Sequence, residues 1–388
     1  MPTRWSPNRL PPTAGRADAG PRLVPPARRR PIRDPRPVPD RPGRHSLETV
    51  HSPLLELAGA VEADFPDTGI AAHYGDPFAE QRALAESAGL VDRSNRDVLT
   101  ITGPDRLTWL NSLSTNKLDV LEPGQAAQTL ILSPHGHVEH HLSLVDDGST
   151  TWLHVEAGEA PALLGFLESM RFMLTVDPVD ASADYAVLTL IGPAADPGPV
   201  ADRAATLAFE FGTDLIVPRS ALAGAVAALR AGGARPAGIW AHEALRIAGH
   251  RARFGTDTDH RAIPHDMGWI ESAVHLNKGC YRGQETVARV HNLGHPPRRL
   301  VLLHLDGSED RLPGHGEQVM LDDASIGFLG SSARHYELGP IALALVKRTV
   351  PVQATLLVAG ISAAQEVIVS PDAGANVQVS LRRRPVAG

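Results

Sequence analysis

The stretch LNKGCYRGQETVARVHNLGHPP, residues 276–297, contains Cys280, the only cysteine in the chain. Gly279 and Gly283 permit a tight turn with positive φ. From Gln284 onward, Val287, Val290 and Leu293 are spaced for one helical face, and Gly294 and Pro296 end it. This spacing predicts that Cys280 sits just ahead of a helix N-terminus, between Lys278 and Arg282. A helix dipole and nearby cations favour a thiolate, the form that acts as a nucleophile or binds metal. The alternative is a small residue packed in a turn. Two charged neighbours are unlike a core site.

A second group of reactive side chains is His135, His137, Glu139, His140 and His141. In an extended arm, His137, Glu139 and His141 share one face and could bind zinc or iron. The alternative is a solvated hairpin tip whose histidines hydrogen-bond locally. His275, His291 and His295 surround the cysteine at spacings that match no standard zinc pattern. No GxSxG elbow, phosphate-cradling loop or dinucleotide fingerprint occurs. No stable metal is expected.

Residues 78–90 suggest a helix stopped by Gly89, and residues 98–103 a strand. A helix then follows with Pro104 and Asp105 in its first turn. Residues 128–148 form two apolar-alternating runs around Pro-His-Gly, a hairpin. Leu163, Leu164, Leu167 and Met170 mark a helix, residues 185–192 and 214–218 strands, and residues 220–232 and 239–249 helices. After Pro297 come short apolar runs (RLVLLHL, EQVML, IALALVKR, TLLVAG, EVIVS, VQVSL), which suggest a small barrel of about six strands. The pattern is α+β without a clear parallel βαβ repeat.

At 388 residues and 43% hydrophobic content, the chain can bury two or three cores. Residues 1–45 carry eleven arginines against Asp18, Asp34 and Asp40, and are too rich in proline to pack. They read as a disordered extension: a basic tail, a targeting peptide, or sequence upstream of a true start near Val50. The remaining chain is acidic, which argues against direct nucleic-acid binding. A lone cysteine fits a reducing compartment. No apolar run reaches the ~18 residues of a membrane span, so a cytoplasmic protein without membrane contact is expected.

Lys278-Gly279-Cys280-Tyr281-Arg282-Gly283-Gln284-Glu285 resembles the K-G-C-Y-x-G-Q-E signature of the YgfZ family, folate-binding relatives of the glycine-cleavage T-protein. Residues 89–125, the LRIAGHRARFGTDTD segment and the C-terminal β module are similar to the same family. The resemblance implies a T-protein-like multidomain folate-binding fold around a central cavity, with a C-terminal small β-barrel. The boundaries it suggests are 54–180, 181–297 and 298–388. It further implies a tetrahydrofolate-binding accessory role in iron–sulfur cluster assembly or repair, including clusters of tRNA-modifying radical enzymes as clients. Cys280 carries over as the essential residue, and Lys278, Tyr281, Gln284, Glu285 and Arg246 as candidates for folate contact. The aminomethyltransferase branch has G-G-x-x-D-D-L in its hairpin and L-R-L-E-A-G further on. This chain has His140 and His141 in place of the aspartates, and Ala248 in place of the glutamate. An imidazole cannot supply a fixed carboxylate at neutral pH. Tetrahydrofolate-dependent aminomethyl transfer remains the alternative function.

Overall fold

The computed structural model describes residues 51–375. The N-terminal extension and the VQVSL run lie outside them. The body opens with a short 3-10 turn, Pro53–Glu56, whose N-cap Ser52 accepts from the Leu54 amide at 3.2 Å. The helix Pro77–Glu86 is begun by Asp76, which caps Phe78 and Ala79 from one carboxylate oxygen, with Pro77 at the first helical position.

Two five-stranded sheets follow. The first runs, in spatial order, Ala126–Leu132, Val138–Asp146, Thr150–Val155, Asp97–Thr102 and Asp177–Asp180, all antiparallel. The second runs Ala205–Ala208, Thr213–Pro218, Tyr185–Ile191, Gly89–Asp92 and Arg235–Ala237, with only the last pair parallel. The sheets face one another through Val98 and Val145 of one and Val187, Leu207 and Ile216 of the other. Helices Arg106–Leu113 and Ala160–Ser169 cover the outer face of the first with Trp109, Leu110, Leu163 and Leu167. Helix Leu222–Ala231 covers the second with Leu222, Val226 and Leu229. Strands covered on both sides read as continuous apolar runs, as YAVLTLI does.

The C-terminal strands close a six-stranded barrel, ordered Arg298–Leu305, Gly339–Lys347, Ala324–His335, Gln318–Leu321, Leu356–Val358 and Ile361–Val367. Along Arg298–Leu305, Val301 and Leu303 fill the barrel, whereas Leu300 and Leu302 pack outward. That outward face joins helix Ile239–Ala248, the hairpin residues Leu130, Leu132 and Val138, and Tyr281 in a single core. Helix Ile239–Ala248 therefore ties the barrel to the sheets.

Four elements differ from the sequence reading. The helix expected over 78–90 stops at Glu86, and Gly89 begins a buried strand instead. A side chain at Gly89 would overlap Leu84, with a Cβ 2.2 Å from Leu84 Cδ2. The next helix starts at Arg106 rather than Pro104, and the Asp105 carboxylate accepts from the Thr175 amide at 2.8 Å. Six barrel strands are present, but one is Ala324–His335, which the apolar runs did not mark. Its sequence ASIGFLGSSARH is too small and polar to signal a strand. The EVIVS run contributes only its first residues, at the end of Ile361–Val367.

Candidate functional site: a charge-lined cavity and a docked cysteine loop

Where the two sheets meet the segment after helix Ile239–Ala248, a cavity encloses about 130 Å³. Its walls carry charge drawn from widely separated segments. Arg96 Nε donates to His154 Nδ1 at 2.9 Å. A guanidinium only donates, so Nδ1 carries no proton, and the Nε2–H of His154 donates to Asp214 Oδ2 at 2.9 Å. The other Asp214 oxygen accepts from Thr189 Oγ1 at 2.6 Å and Arg93 Nη1 at 3.2 Å. Glu156 accepts from Arg96 at 2.6 Å and from Arg253 at 2.9 Å. Arg253 also grips both oxygens of Asp67, each at 2.8 Å.

Burial by itself would raise these carboxylates, but the guanidiniums overcome it. Arg253 and Arg96 hold Glu156 far below the usual carboxylate range. Arg93 and His154 do so for Asp214, and Arg246 and Arg253 for Glu243. Asp67, Glu156, Asp214 and Glu243 are the carboxylates of the wall, and each is paired with arginine. The walls can therefore bind and orient a ligand, but they present no uncommitted carboxylate to act as a general base. Burial and then Arg96 lower both His154 and His141 to about 4, so both imidazoles are neutral at ordinary pH. His141 lines the cavity with its ring 4.6 Å from that of Trp269, and its buried Nε2 has no hydrogen-bond partner. At the edge, Arg251 lies over the Phe211 ring at 5.2 Å and pairs with exposed Glu210 at 3.1 Å.

Of the candidate folate contacts, Arg246 lines this cavity. Its donors are already engaged: both Glu243 oxygens at 2.9 and 2.6 Å, Asp257 at 2.9 Å, Ser331 Oγ of the barrel at 2.6 Å, and the Arg251 carbonyl. Lys278, Tyr281, Gln284 and Glu285 are not in the cavity wall. Lys278 Nζ donates to the carbonyls of Asn111, Ser114 (2.6 Å) and Asn116 (2.7 Å), at the C-terminal end of helix Arg106–Leu113. Three acceptors match the three protons of an ammonium, although burial lowers this lysine to about 8. The Tyr281 ring is buried in the shared core, 5.3 Å from Lys278 Nζ, and burial raises its phenol to about 12. Gln284 opens the helix Gln284–Asn292 behind the left-handed N-cap Gly283. Glu285 is exposed and pairs with Arg289 at 3.4 Å.

Gly283 fits against the hairpin turn. With φ +82°, its Cβ would lie 2.6 Å from the Ser133 carbonyl oxygen and 3.0 Å from Gly136 Cα. A Cβ on Gly136 would in turn lie 2.6 Å from Thr286 Cβ. Arg282 donates to Glu139 at 2.9 Å and stands over the Phe166 ring at 5.5 Å. The loop is therefore pinned on both sides of Cys280, and Cys280 itself is exposed. This corrects the picture of two cations beside the thiol, because both are directed to other partners.

The hairpin histidines separate into different environments. Glu139 belongs to Arg282, His141 to the cavity, and buried His140 lies 3.4 Å from Glu159. Among the described residues, no group of three or more His, Cys, Asp or Glu side chains is placed to hold a metal ion. The sequence reading missed the arginine–carboxylate network. Its only local signals are polar residues in apolar strand contexts, His154 and Glu156 in WLHVEAG and Asp214 in DLIVP.

Comparison with known proteins now adds to this geometry. Residues 56–197 match the model of the GCVT N-terminal domain. An aminomethyltransferase of Streptomyces coelicolor is 27% identical over 336 residues, 78% of this chain and 89% of that protein. One of Listeria welshimeri is 26% identical over 330 residues, 77% and 90% of the two chains. The crystal structure of glycine cleavage system aminomethyltransferase T from Bartonella henselae superposes with a TM-score of 0.69 at 18% identity, covering 81% of this chain and 94% of that one. The chain is thus T-protein-like: a GCVT N-terminal domain over residues 56–197, in an α+β fold that ends in a closed six-stranded barrel.

Proposed function

We propose that this chain is a tetrahydrofolate-binding accessory protein of the YgfZ type, acting in assembly or repair of iron–sulfur clusters, with Cys280 as the group that meets the client. The observation that carries this reading is the way the signature loop is used. Lys278, Tyr281, Arg282 and Gly283 are all occupied in anchoring, and the thiol is left exposed. The step such a thiol supports is ligand exchange: it loses its proton to solvent, and the thiolate sulfur bonds to an iron of the client cluster as a water or hydroxide ligand of that iron leaves to solvent, with no change of oxidation state. Folate would occupy the charge-lined cavity. About 130 Å³ there has room for a ring-sized head rather than a whole folate. Cluster enzymes that modify tRNA are the client class the signature suggests.

Aminomethyl transfer with tetrahydrofolate is the second reading, favoured by the names of the matched relatives. Against it stands the cavity's lack of an uncommitted carboxylate, with imidazole at His141. A tetrahydrofolate titration followed by thermal shift, together with an assay for methylene-tetrahydrofolate from a glycine- or sarcosine-type donor, separates the two. The accessory reading predicts a shift in wild type and in Cys280→Ala alike, with no turnover. Turnover would establish the transferase, and absence of any shift would remove folate from both.

A further inference from the structure

Single exposed apolar side chains are ordinary, but a run of large ones on a fixed protrusion marks a contact surface. Phe172, Met173 and Leu174 follow helix Ala160–Ser169 in a turn, which the Leu174 amide closes by donating to the Arg171 carbonyl at 3.1 Å. All three are exposed, Phe172 at 82% and Met173 at 99% of their surface. Phe172 has φ +46°, a conformation that a bulky L residue rarely adopts, and neither side chain gains burial from that strain. The base of the turn is held firmly. Trp109 Nε1 donates to the Met170 carbonyl at 3.0 Å, and the Thr175 amide donates to the Asp105 carboxylate at 2.8 Å. A tip fixed in this way loses little freedom when a partner covers it.

We propose that the Phe172–Met173 tip is the docking point for the iron–sulfur client that meets Cys280, and that it seats in an apolar recess of that client rimmed by lysine or arginine. The inference rests on the accessory-protein reading above and adds the surface that brings the client to the thiol. Two observations select this occupant. The first is continuity: helix Arg106–Leu113 supports both features. Its N-cap Asp105 and its Trp109 hold the base of the turn, while carbonyls at its C-terminal end hold Lys278 of the cysteine loop. Helix Ala160–Ser169 makes the same link, with Phe166 under Arg282 and the tip just past its end. The eight residues of helix Arg106–Leu113 span about 12 Å, and a standard protein contact covers about 800 Å² on each side, so one client face reaches both ends. The second observation is charge. Glu168, Asp177 and Asp180 are exposed in the segments flanking the tip, and Arg171, 3.5 Å from Asp177, is the one cation between residues 168 and 180. An acidic rim attracts a basic one, and opposes both tip-to-tip pairing of two copies and approach to an anionic membrane.

The test supplies wild type, the double variant Phe172→Ser/Met173→Ser and Cys280→Ala, each at low and at high abundance, to cells that lack this protein. The readout is the activity of an iron–sulfur, tRNA-modifying enzyme. In parallel, a chain with benzoylphenylalanine in place of Met173 is irradiated in cells that carry the same enzyme with an affinity tag. The double variant is expected to unfold at the wild-type temperature, because both side chains are exposed. At low abundance it should restore about one-tenth of the wild-type activity, and at high abundance most of it, because more protein makes up for weaker docking. Cys280→Ala should restore none at either level, and the photoadduct should contain the tagged enzyme. If the double variant restores full activity at low abundance, or no adduct with that enzyme forms, while Cys280→Ala stays inactive, the inference fails and the accessory reading stands. Adducts between two copies of this chain alone, or flotation with phosphatidylcholine–phosphatidylglycerol vesicles that the double variant loses, would give the tip another occupant and overturn the inference. Full restoration by Cys280→Ala fells the accessory reading and takes the inference with it. The adduct is formed with the rest of the chain intact, so poor folding of the double variant does not block the decision.

Discussion

At the scale of single residues, the signature divides into one exposed group and several anchors. Lys278 is the clearest anchor, because one ammonium satisfies three carbonyls at a helix end. Replacing it with methionine leaves those acceptors without donors. We predict a loss of about 2–4 kcal/mol in denaturant unfolding, with little change for Cys280→Ala, whose side chain is exposed. Equal stability of Lys278→Met and wild type would show that the carbonyls are satisfied otherwise. The sequence marked Cys280 as a turn residue ahead of a helix because glycine and proline punctuate that stretch locally. It did not mark Lys278 as an anchor, because its partners lie more than 160 residues away. Distance along the chain also hid the cavity: Arg93, Arg96, Glu156, Asp214 and Arg253 belong to segments whose charges look like ordinary surface polarity until two sheets bring them together.

At the scale of elements, the central hairpin and the signature helix are joined where Gly136 and Gly283 approach backbone to backbone. Both have positive φ, and each would drive a Cβ into the other element. Gly136→Ala and Gly283→Ala are each expected to lower stability by about 1–3 kcal/mol. Because both open the same contact, the double variant should lose clearly less than the two losses combined. Additive losses in a double-mutant cycle would mean the two glycines act separately. Strong strand patterns such as YAVLTLI and DLIVP were readable from the sequence because sheets covered on both faces need continuous apolar runs. Ala324–His335 was not, since its place in the barrel is set by its neighbours Gly339–Lys347 and Gln318–Leu321 rather than by its own residues.

At the scale of the whole molecule, histidines lowered by burial contribute to the response to pH. Burial lowers His141, His154 and His265 to about 4 each, with Arg96 adding to the first two and His291 to the third. Unfolded, they titrate near 6.5. Their contribution to stability is therefore full above pH 6.5 and is lost as pH falls towards 4. Burial raises Asp266 to about 6, which works the other way: its contribution is full below about 4 and fades as pH rises through 6. For His265 the sign follows from its own shift, so from pH 7 to pH 4.5 the Tm of wild type should fall further than that of His265→Leu. Equal falls in the two proteins would contradict the burial of the His265 imidazole.

On the accessory-protein proposal, the fold presents one thiol to client iron–sulfur enzymes while folate binding resides elsewhere. The most direct measurement is the activity of an iron–sulfur, tRNA-modifying enzyme in cells that lack this protein and are supplied with wild type or Cys280→Ala at equal abundance. Wild type should restore the activity, and Cys280→Ala should leave it at the level of the deficient cells. Full restoration by Cys280→Ala would contradict it.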